Sequence, residues 1–163
     1  MIPDIDTQLA SAIKSISDNV QPAVDPKNQL AQEQLYLALA TLNLVRQNLP
    51  LAHSYARQDM KDHIAMAEEL TSAAGSSDAL STAVTHAEKL LNDPEQGSQV
   101  LLAGARSLRE VIGVFLMDNA ENTALDSIVI KHSKRGIDKG RSWTKGMGFE
   151  PDPKAVADLA DIL

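Results

Sequence analysis

The chain contains no cysteine among its 163 residues. Disulfides, thiolate-bound metals and cysteine nucleophiles are thereby excluded, and no oxidising compartment is required. Aromatic residues are nearly as scarce, at 3%. A core must therefore be assembled from Ala, Leu, Ile and Val, with Trp143, Phe115 and Phe149 as rare large pieces. Sheets draw on aromatic and β-branched residues, so this scarcity turns the expectation toward helices. No apolar run approaches the roughly 18 to 20 residues needed to cross a bilayer. The opening residues, Met1 to Asp6, have neither the basic nor the apolar stretch of a secretory signal. A soluble cytoplasmic protein without membrane contact is expected.

What is present is ordinary in bulk and uneven in charge. Hydrophobic residues make up 44% and charged residues 23%, which excludes wholesale disorder. The formal net charge is −7. Between positions 131 and 145, six basic residues face one acid, a local +5 that leaves −12 for the rest of the chain. An acidic surface disfavours nucleic acid, because phosphate backbones attract positive fields.

Helical spacing dominates the pattern, and no strand alternation or internal repeat interrupts it. Asp4 can cap a first helix whose Ile5, Leu9, Ala12, Ile13, Ile16 and Val20 share one face, ending before Pro22. Asp25-Pro26, Asp93-Pro94 and Asp152-Pro153 each read as a helix start, an acidic cap followed by proline. Apolar stripes through Leu35, Leu42 and Leu49, then Ala56, Met60 and Ile64, predict two helices or one bent helix over 26–74. The kink or break falls near Pro50.

Gly75 to Asp78 reads as a stop and a cap, followed by a short helix with Leu80, Val84, Ala87 and Leu91 inward. Residues 94–135 are compatible with one helix of roughly 60 Å at 1.5 Å per residue. A basic, glycine-rich loop is expected over 131–153, then a short C-terminal helix with Val156, Leu159 and Leu163 inward. The fold expected is all-α, one domain over 1–163, an elongated bundle of five to six helices.

Catalytic signatures are missing. No histidine has a glutamate three residues before it, as a carboxylate-bridged di-iron bundle requires. Zinc-hydrolase and nucleophile-elbow motifs are also absent. No catalytic residue, metal or cofactor is expected. One polar pair stands out, Asp59 and His63, a helical turn apart on the inner stripe. It reads either as a base or ligand within the bundle or as a core-edge histidine satisfied by its neighbour. Asn119, Asn122 and Asp126 place polarity on a face that should be buried, which marks either a site or a helix end.

The basic segment carries the remaining candidates: Lys131, Lys134, Arg135, Lys139, Arg141, Trp143 and Lys145. Lys131, Lys134 and Arg135 fall on one helix side, close-spaced glycines free the backbone, and Trp143 offers a stacking surface. The segment suits an anion such as a phosphorylated or acyl-CoA ligand, or it pairs with the acidic surface of its own bundle.

The stretch Val20-Gln-Pro-Ala-Val-Asp25, with Leu30, Ala31, Leu35, Ala38, Leu42, Val45, Arg46 and Leu49, resembles a family of small uncharacterised bacterial helical proteins. Members are encoded near acyl-CoA dehydrogenases and aminoglycoside-phosphotransferase-like kinases. The resemblance implies an acyl-CoA context and transfers no catalytic residue. The leading expectation is a non-enzymatic helical protein that associates with itself, as a homodimer, or with a protein partner. The alternative is a binder of a phosphorylated or acyl-CoA ligand through residues 131–146.

Overall fold

The computed structural model describes residues 4–75 and 77–163. The described residues are 82% helical, contain no strand and form a helical bundle. Six α-helices run in chain order: α1 Ile5–Ser15, α2 Gln29–Asn48, α3 Ala52–Ala74, α4 Asp78–Asn92, α5 Ser98–Asp118 and α6 Ala124–Thr144. No helix among the described residues is long and apolar enough to cross a membrane. Length alone suggests one domain, whereas the contacts divide the chain into two compact units. The first comprises Met1–Pro50 with Gly140–Asp158, and the second Leu51–Lys139 with Leu159–Leu163.

In the first unit, Asp4 caps α1 by accepting from the Thr7 N–H at 2.7 Å. The chain then winds through short turns, Ile16–Val20 and Gln21–Ala23. Helix α2 lies against α1, and Arg46 near its end grips Asp6 near the start of α1 with a two-pronged fork, 2.7 and 3.0 Å. The turn Leu49–Leu51 holds Pro50, so the expected break is present. Asn48, buried at the end of α2, donates to the Trp143 carbonyl at 2.8 Å.

In the second unit, α3, α4 and α5 enclose the core. Ala56, Met60, Ile64, Ala67 and Leu70 meet Leu80 and Ala87, and Leu101, Ala105, Leu108, Ile112 and Phe115 complete it with Leu125 of α6. Small residues let the helices approach closely. A Cβ on Gly104 would stand 2.7 Å from both Met60 and Leu90 side-chain carbons.

Four sequence expectations change. The Asp-Pro pairs do not start α-helices. Asp25, Asp93 and Asp152 each accept from the N–H two residues on, Lys27, Glu95 and Lys154, which closes a local turn instead. Helix α2 starts later, capped by Asn28, and α5 starts at Ser98. The single helix over 94–135 is two helices. Asn119 donates to the Phe115 carbonyl and Asn122 accepts from the Ala124 N–H, so the out-of-place polar residues are helix-end groups.

The basic segment is not a loop over 131–153, because α6 continues to Thr144. Gly136 and Gly140 each cost a helix about 1 kcal/mol, too little to end one held by its side chains. The stop comes at Gly148, whose φ of +80° is a conformation that favours glycine. The expected C-terminal helix is reduced to two short turns, Pro153–Ala155 and Leu159–Asp161.

Candidate functional site

The charged side chains of the second unit concentrate where α3 faces α6. On α3, Tyr55, Asp59, Asp62 and Glu69 recur at spacings of three, four or seven, which places them along one side of the helix. On α6, Lys131, Arg135 and Lys139 repeat every four residues. The two rows meet in opposite chain directions, as antiparallel helices require. Lys131 Nζ lies 2.6 Å from Glu69, Arg135 3.1 Å from Asp62, and Lys139 2.7 Å from Asp59 and 3.0 Å from Asp62.

The seam is driest at Lys139, whose side chain is only 6% exposed. Its ammonium sits between two carboxylates and 5.1 Å from the centre of the Tyr55 ring. Burial by itself would lower the lysine's pKa. The hydrogen bonds and charges of Asp59 and Asp62 outweigh burial, and the net direction is upward. Lys139 therefore stays charged and is no nucleophile at neutral pH. Burial also raises the Tyr55 hydroxyl, opposed by the Lys139 charge. At the wetter end, the hydrogen bond from Lys131 holds the Glu69 carboxyl below its ordinary 4.5, against a smaller opposing effect of burial.

Two histidines border this seam in a cleft of about 430 Å³, with Tyr55, Asp59, Asp62, Arg109 and Lys139 among its walls. His63 Nδ1 lies 2.7 Å from the Asp59 backbone carbonyl. A carbonyl can only accept, so Nδ1 carries a proton and donates it. The Asp59 carboxylate is 3.9 Å from the ring and bonds Lys139 instead. The Asp59–His63 pair is thus a backbone contact within a larger ionic network. His132 Nε2 is buried and 3.3 Å from Glu69 Oε1. That nitrogen has no hydrogen-bond partner among the described residues. His86 is exposed on α4.

Of the remaining sequence candidates, Lys134 lies exposed on α6 in the second unit, and the other three belong to the first unit. Arg141 forks onto Glu150 at 3.1 and 2.6 Å, and Lys145 reaches the Val156 carbonyl at 2.8 Å and Asp158 at 2.7 Å. Trp143 is half-buried, and its carbonyl accepts from Asn48. The basic segment is therefore occupied with carboxylates of its own chain along most of its length. Sequence reasoning missed Asp62, Glu69, Tyr55 and His132. The signal was the four-residue repeat of Lys131, Arg135 and Lys139, matched by acids on α3.

Among the described residues, no three His, Asp or Glu side chains are grouped to hold a metal ion. No protein-family model matches the chain, no curated protein is detectably similar in sequence, and no solved structure is detectably similar in fold.

Proposed function

We propose that the protein acts by association, through α2, with a second copy of itself. The observation that carries this reading is an uncharged, exposed stripe: Leu30, Gln34, Ala38, Thr41, Val45 and Leu49. At 100° per residue these positions share an arc of roughly 100° along the whole helix and the turn after it. Leu30, Val45 and Leu49 are 67%, 44% and 37% exposed. Their intervals of three and four are those of a helix that packs against another helix. Two copies of this stripe meet without bringing like charges together, which suits a two-fold contact.

The charged seam, by contrast, supports a structural role. A satisfied ionic network fixes which faces of α3 and α6 meet, and it leaves no activated nucleophile.

Light scattering over a range of concentrations tests the reading. The expected result is a mass rising to twice 17.5 kDa. The triple variant Leu30→Glu, Val45→Glu, Leu49→Glu should stay at the monomer mass with an unchanged helical spectrum. A monomer at every concentration, or a triple variant that still associates, overturns it.

A further inference from the structure

A groove of about 410 Å³ lies within the second unit, lined by Lys131, Lys134, Arg135 and Lys139 with Asp62, Asp138 and Ile162. We infer that Lys131, Lys134 and Arg135 bind the phosphate group of a small phosphomonoester there, a role independent of association through α2. Lys139 forms part of the wall, but Asp59 and Asp62 neutralise it. Asp62 also takes one Arg135 nitrogen, and Glu69 takes Lys131. Both cations stay more than half exposed at the side chain and keep N–H groups to give. Lys134 has no ion-pair partner among the described residues.

The spacing gathers these groups. Positions i, i+3 and i+4 of one helix side bring the three cations to a common point. Four cations and two carboxylates line the groove, and Glu69 and Asp59 beside it already pair with Lys131 and Lys139, so Lys134 is the cation left without an ion-pair partner among the described residues. A phosphomonoester carries close to two negative charges at neutral pH, and its three oxygens suit the planar arginine donors and the lysine point charges together. Ile162 gives the groove an apolar wall for the organic part of the ester, and the volume lies in the range of small-molecule sites.

Calorimetric titration of the full chain in low salt, with phenyl phosphate and with inorganic phosphate as probes, tests the assignment. Phenyl phosphate is expected to bind with a dissociation constant of about 1 mM or tighter, and inorganic phosphate more weakly. Lys134→Ala removes an exposed side chain, so it leaves folding intact, and it should weaken binding about 10-fold. Lys134→Arg should retain binding. Glu69→Gln releases Lys131 from its competitor and should tighten binding, a gain that damage to the fold cannot mimic. Absence of heat with both probes overturns the proposal, as does undiminished binding by Lys134→Ala. Binding of inorganic phosphate without phenyl phosphate overturns the ester assignment.

Discussion

In the second unit, three helices bury a continuous set of side chains from Ala56 to Phe115. In the first, α1 buries no residue and α2 buries only Asn48, a polar one. Val156 is the first unit's only buried hydrophobic residue among those described. Both units use amphipathic helices rich in Leu and Ala. A helix enclosed by two neighbours can bury a wide stripe, whereas a helix with one neighbour buries only a narrow one and leaves the rest to solvent. Amphipathic patterning states which side wants cover, and the number of partners decides whether it gets any. Helix α6 shows a third arrangement: it adds Leu125 and the partly buried Ile128 to the core and pairs with α3 through a row of charges.

The largest expected effect is at that charged attachment. Lys139→Ala strips Asp59 of its cation and leaves Asp62 with Arg135 alone, and should cost about 3 kcal/mol in chemical denaturation. Lys139→Met combined with Asp59→Asn removes the stranded charge while Asp62 keeps Arg135, and should recover much of that loss. Next comes a matched pair of leucine truncations. Leu101→Ala in the enclosed core should cost about 3 kcal/mol, and Leu42→Ala on half-buried α2 less than about 1 kcal/mol. Equal costs would mean that the first unit is packed as tightly as the second.

A smaller effect follows from pH. The Glu69 carboxyl is held below its ordinary 4.5, so its contribution is present above pH 4.5 and fades as pH falls through the lowered value. Lys139 is raised above 10.5, so its contribution is present below pH 10.5 and fades only above that. Thermal melting should therefore drop below pH 4.5 more steeply for the native chain than for Glu69→Gln. Parallel curves would show that the Lys131–Glu69 pair contributes nothing.

The helical fold, the break at Pro50, the Asp4 cap and the inner faces of α3 and α4 were legible because each rests on local spacing. The Asp-Pro starts misled because an aspartate that caps a turn and one that caps a helix accept the same kind of N–H. Gly136 and Gly140 suggested a loop because their cost is local, while the ion pairs that keep α6 helical come from residues about 70 positions earlier. The basic cluster was visible in sequence. Its partners were not, since pairing between α3 and α6 depends on how the chain folds back.

Hydrogen exchange of the full chain at low and high protein concentration tests the contrast most directly. Amides of α3, α4 and α5 should be strongly protected at both concentrations. Amides of α1 and α2 should exchange rapidly when dilute and gain protection as concentration rises, because a second copy supplies the cover that α2 lacks. Protection of α1 and α2 equal to that of α3 to α5, and independent of concentration, would contradict the account.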